Sequence, residues 1–153
     1  MWKKSPRLST GGANVHMIWG TQWDQTLKWL IDTNNKTYKQ VGSDSTSWGN
    51  YNNNSFTYYT NTSKSTATKS SGSSKRIPSG AYDGANANNV FDLAGNVWDW
   101  TLESNGSGTS ISRYIRGGGC NNDGFNYPAA NRIGNSPDIS GSNIGLRCTL
   151  YIK

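Results

Sequence analysis

The chain has 153 residues, the length of one domain, and a formal net charge of +6. Only 33% of it is hydrophobic and 16% charged, which excludes both an aliphatic-rich globule and the charged, aromatic-poor profile of a disordered chain. No stretch is apolar enough to span a membrane, and no basic helix or nucleic-acid motif accompanies the positive charge, so no nucleic-acid partner is expected.

Polarity comes from Asn, Ser, Thr and Gly, and apolar mass from rings: seven Trp, eight Tyr and three Phe. A few large rings close a core where aliphatics are scarce. A loop-rich domain with a small aromatic core is expected. The opening Met1-Trp2-Lys3-Lys4 lacks the apolar run of a signal peptide.

Residues 1–15 read as an irregular lead-in, broken by Pro6 and Gly11-Gly12. A helix is predicted from Gln22 to Thr33, N-capped by Thr21 and ending at Asn34-Asn35, with Asp24 in the first turn. Trp23, Leu27 and Leu30 form one apolar stripe, which Trp29 and Ile31 widen. The lone His16 reads as a structural side chain. Residues 43–76 are rich in Ser, Thr and Asn. Within them Trp48–Tyr51 and Phe56–Tyr59 are expected as anchored turns or a short strand, and residues 63–75 as a mobile polar loop.

From Ile77 the chain tightens, with turns at Pro78 and Gly80. Val97–Thr101 and Arg113–Arg116 read as strands. A last strand is predicted over Ile144–Ile152, with Leu146, Cys148 and Leu150 on one face and Arg147, Thr149 and Tyr151 on the other. Trp98 and Trp100, two apart, point the same way on an extended chain and stack into the core. Gly117, Gly118 and Gly119 allow close backbone approach or positive φ. Arg132 and Arg147 offer forked donors to loop carbonyls or carboxylates. Cys120 and Cys148 have no zinc-type spacing; one disulfide and two free thiols both remain open.

Four blocks follow one another in the C-terminal half: Gly95-Asn96-Val97-Trp98-Asp99-Trp100, Arg116-Gly117-Gly118-Gly119-Cys120, Ala130-Asn131-Arg132 and Gly145-Leu146-Arg147. In order, spacing and residue type they resemble the G-N-V-W-E-W, R-G-G-S-W, A-x-R and G-F-R blocks of the formylglycine-generating enzyme (sulfatase-modifying factor) family. The resemblance implies an α+β domain of C-type-lectin-like, formylglycine-generating-enzyme-like fold over residues 1–153, shorter than usual for the family at its N-terminal side.

The same resemblance implies a structural calcium held by an oxygen from Asp92, the carbonyls of Gly95 and Val97, and Asp99, where the family has Glu. The competing reading has Asp92 capping the turn and Asp99 paired with an arginine. Family catalysis resembles copper-dependent thiol chemistry with two nearby cysteines after R-G-G. This chain has only Cys120 in that segment, and Tyr127 stands near the position of the second thiol. No copper and no catalytic residue are therefore expected.

The segment from Cys120 to Asn143 is built of Asn, Ser, Gly and Tyr, the palette of adaptable recognition surfaces. A protein or glycan ligand is expected there, contacting Asn121, Asn122, Phe125, Asn126, Tyr127 and Asn131. Some relatives with this fold are receptor-binding proteins diversified by retroelements in phages and bacteria. Their mutagenesis targets adenines, so Asn codons are usual starting points, and a cell-surface, secreted or phage-particle setting is favoured. Asn is also abundant at 50–54 and 86–89, which the sequence places outside this surface.

Overall fold

The computed structural model describes residues 13–105 and 111–152. The lead-in up to residue 12, with Lys3, Lys4 and Arg7, lies outside them, as do the side chains of Tyr151 and Ile152. Residues 13–15, expected to be irregular, open strand β1 (Ala13–Met17).

Helix α1 (Gly20–Asp32) starts earlier than predicted. Trp19, not Thr21, occupies the cap position, and its N–H donates to Gln22 Oε1 at 2.9 Å, half of a capping box. Asp24 consequently falls beyond the first turn and pairs with Arg116 of the sheet instead. The stop at Asn34-Asn35 is as predicted. Asn34 turns left-handed at φ 57°, and the Asn34 and Asn35 N–H groups donate to Ile31 and Leu30 carbonyls, each at 2.9 Å. Trp23, Leu27 and Leu30 are buried, with Trp23 Nε1 donating to Ala129 O at 3.0 Å. Trp29 is not part of that stripe; it is 43% exposed. At 100° per residue it lies roughly a third of a turn from Trp23, too far round to reach the core.

A short helix α2 (Tyr38–Gly42), capped by Thr37, leads to a 3₁₀ turn at Thr46–Trp48. Strands β2 (Phe56–Tyr59) and β3 (Thr66–Lys69) form an antiparallel hairpin. The stretch 63–75, expected as a loop, thus contains a strand. Its anchor is Lys69, 1% exposed, whose Nζ donates to Tyr51 O at 2.6 Å and Asn54 O at 3.0 Å. Beside the hairpin Phe56 stacks on Tyr82 with ring centres 3.9 Å apart.

Strands β4 (Asn86–Ala87) and β5 (Val90–Phe91) bracket a tight turn. The main sheet follows: β6 (Trp98–Asn105), β7 (Ser112–Arg116), β8 (Arg132–Asn135) and β9 (Ile144–Leu146), in the order β8-β7-β6-β9. All its pairs are antiparallel except β6–β9. Trp98 and Trp100 are both buried with Ile115, as the spacing required. The predicted last strand is in fact two, interrupted at Arg147, where pairing with β6 gives way to pairing with β1. After β9 the chain crosses to β10 (Cys148–Ile152), which pairs with β1. Leu146, Cys148 and Leu150 share one face as expected, and that face is the exposed one, with Leu146 and Leu150 at 58% and 61%. The inward position goes to Arg147, because a buried carboxylate needs its charge.

Candidate functional site

The loop after β7 is held from beneath. Gly117 and Gly118 adopt φ of 91° and 79°, and a Cβ on Gly118 would sit 2.6 Å from Tyr127 O. The Gly117 carbonyl accepts from the Gly95 N–H and the Tyr51 hydroxyl, each at 2.8 Å. The Cys120 N–H donates to Asn96 O at 2.9 Å. These bonds fasten the loop to the 95–96 turn, whose own anchor is a pair of buried amides: Asn50 Nδ2 donates to Asn96 Oδ1 at 3.0 Å.

The six expected contact residues divide by environment. Asn122 Oδ1 accepts from Trp98 Nε1 and from the Gly119 N–H, each at 3.0 Å, so this side chain orders the loop. Tyr127 packs edge-on against Trp98, ring centres 5.7 Å apart. Asn131 is half-buried, and its Oδ1 has no hydrogen-bond partner. Asn121, Phe125 and Asn126 are exposed, Phe125 at 54%. The structure thus places three of the six outward and two on Trp98.

The 50–54 asparagines, expected outside this surface, lie directly against the loop. The Asn52 N–H donates to Asn122 O at 2.8 Å, and Asn53 Oδ1 accepts from the Gly124 N–H at 3.1 Å. Gly124 O in turn accepts from Ser45 N at 3.0 Å. A Cβ on Gly124 would meet Thr46 N at 2.5 Å, so the loop lies directly on that segment. Its Asn richness was visible in the sequence; its place was not, because the bonds span some 70 residues.

At the 92–99 turn, Asp92, Gly95 and Asn96 all take positive φ. Asp92 Oδ2 accepts from Ser79 Oγ at 2.7 Å and Gly80 N–H at 3.1 Å, while Asp92 Oδ1 is buried without a partner. Asp99 is buried and meets Arg147, whose terminal nitrogens also donate to Phe91 O at 3.2 Å and Asp92 O at 2.9 Å. Burial pushes the Asp99 carboxyl above its ordinary 3.8, against the pull of Arg147, and the Asp92 charge adds to the rise. Two acidic side chains share one guanidinium, and one buried oxygen, Asp92 Oδ1, is unsatisfied. Those features fit a hard cation that takes oxygen ligands.

The thiols do not form a pair: both cysteines are free, Cys120 buried and Cys148 exposed. Cys120 Sγ donates to Ser74 O at 3.3 Å, and burial pushes its thiol up, although Arg76 and Lys69 pull the other way. Among the described residues no three His, Cys, Asp or Glu side chains come together as a metal cluster.

Residues 9–152 match the family model described as the sulfatase-modifying factor enzyme 1-like domain. The formylglycine-generating enzyme of Streptomyces coelicolor is 35% identical over 80 aligned positions, which cover 41% of this chain and 26% of that protein. The inactive C-alpha-formylglycine-generating enzyme 2 of Bos taurus is 36% identical over 76, covering 46% and 25%. Among solved structures, CarF superposes with a TM-score of 0.61 at 15% identity, and Treponema denticola variable protein 1 with 0.60 at 17%. Each superposition covers 92% of this chain, and 48% and 49% of the respective neighbour. The chain therefore spans about half the length of these structures and about a quarter of the curated relatives. The fold is the formylglycine-generating-enzyme-like, C-type-lectin-like one.

Proposed function

The chain belongs to the sulfatase-modifying factor enzyme 1-like domain family, and on that premise we propose that it is a non-catalytic module that binds a protein or glycan through the 120–143 surface. One observation carries the reading. Trp98 fixes Asn122 and Tyr127 from below, while Phe125, Asn121 and Asn126 stand exposed above them. A rigid floor with an exposed ring and adaptable amides is the composition of a recognition surface. Kinship with proteins named inactive, and a shared fold with one named variable, accord with it. Diversification of the loop by a retroelement belongs to the same reading. Its signature would be a reverse transcriptase gene beside a near-copy of the segment encoding residues 120–143.

The test compares wild type with a Phe125→Ala/Asn126→Ala double variant on a glycan array and a panel of cell-surface proteins. The expected result is a ligand of the wild type whose affinity falls at least about tenfold in the variant, with an unchanged melt. Equal binding by both proteins would reject the surface.

Family membership itself favours a second reading, copper-dependent oxidation of a peptide cysteine. Copper titration with oxygen consumption on a cysteine peptide decides it. Turnover would overturn the binding-only assignment.

A further inference from the structure

Helix α1 carries a second stripe besides the one it buries. Gln22, Gln25, Thr26 and Trp29 recur at i, i+3, i+4 and i+7, a single helical face. With Thr149 and Leu150 of β10 this face lines an open groove of about 390 Å³. The Trp29 indole and the Leu150 side chain are exposed in it, at 43% and 61%. Leu150 and Trp29 are large apolar groups that folding leaves uncovered among the described residues.

We propose that this groove is a subsite for a neutral saccharide. The lining chemistry carries the inference. None of the six side chains is ionisable, in a chain whose net charge is +6, so the groove offers an anionic or cationic ligand no counter-charge. A purely apolar ligand would strand the amides and hydroxyls. A sugar ring matches both parts: one C–H face for an indole, and hydroxyls that both donate and accept, like the carboxamides. The polar groups are also held in place. Gln22 Oε1 accepts from the Trp19 N–H at 2.9 Å, which leaves its NH₂ as a donor, and Thr149 Oγ1 lies 3.3 Å from both His16 O and His16 Nδ1. Thr26 Oγ1 donates to Gln22 O at 2.8 Å, and Gln25 is exposed. A groove of this size suits a small ligand or one to two residues of a chain. The site is separate from the 120–143 surface, since it shares no residue with it.

Cello-, manno-, chito- and maltohexaose are titrated into the whole chain, followed by tryptophan fluorescence and by amide chemical shifts. At least one is expected to bind, with shifts centred on Gln22–Trp29 and Thr149–Leu150. Trp29→Ala should weaken it at least about tenfold, Trp29→Phe less, and Phe125→Ala not at all. Trp29 lies on the surface, so an unchanged melt of Trp29→Ala accompanies this result. Failure of all four sugars, binding indifferent to Trp29→Ala, or equal binding of the anionic oligogalacturonate would overturn the proposal. Dependence on Phe125 alone would assign the sugar to the loop surface instead.

Discussion

Arg147 grips a single oxygen of Asp99, with Nε 2.8 Å and a terminal nitrogen 2.7 Å from Oδ2. The same guanidinium ties the carbonyls of Phe91 and Asp92, so one side chain closes the turn that supports the glycine loop. Arg147 itself stands between β9 and β10, where the chain passes from one sheet to the other. Arg147→Ala would leave a buried carboxylate unpaired, at a cost of about 3–5 kcal/mol. Urea unfolding measures it. A loss within about 0.5 kcal/mol, the range of an ordinary surface substitution, would show that the pair does not hold the turn.

The raised carboxyl of Asp99 gives stability a pH dependence of definite sign. Between 3.8 and its higher folded value, the native protein keeps a proton that the unfolded chain has released. Stability from this group is thus fully present below 3.8 and declines as pH rises through the folded value. In calcium-free solution, the unfolding free energy of wild type minus that of Asp99→Asn should fall over that interval and then level off. A difference that grows with pH would mean that attraction to Arg147 outweighs burial.

We propose calcium at the 92–99 turn, held by Asp92 Oδ1, the Gly95 and Val97 carbonyls and Asp99. The unpartnered buried oxygen of Asp92 motivates it. Added calcium should raise the melting temperature, and Asp92→Ala should abolish the rise. A wild-type melt indifferent to both calcium and chelator removes the ion from the account.

The two thiols should react at very different rates. Exposed Cys148 is expected to consume one equivalent of a thiol reagent quickly at neutral pH. Cys120, buried and with its thiol pushed up, should react only on unfolding. Cys148→Ser should remove the fast phase. No reactive thiol even in denaturant would reveal a disulfide, contrary to the structure.

Short-range pattern was legible where it repeats along the chain. The stripe Trp23–Leu27–Leu30, the stop at Asn34 and the inward pair Trp98–Trp100 are as the spacing required. Misreadings occurred where a distant partner decided. Lys69 looked like a loop residue because two carbonyls far from it in pattern, those of Tyr51 and Asn54, are what bury it. The alternation of the last strands was legible, with Leu146, Cys148 and Leu150 sharing one face, but which face is exposed was not: that was decided by Asp99, the distant partner of Arg147.

Local periodicity and glycine placement determined the helix and the central strands, because each depends on residues within a few positions of one another; the order and spacing of the four blocks determined the family. Tertiary structure alone decided which asparagines serve as framework and which face outward. Asn122 and Asn126 have identical side chains four residues apart, yet only the first lies within reach of the Trp98 indole. A hydrogen bond across 24 residues leaves no trace in composition; it exists only once the sheet has brought both ends together.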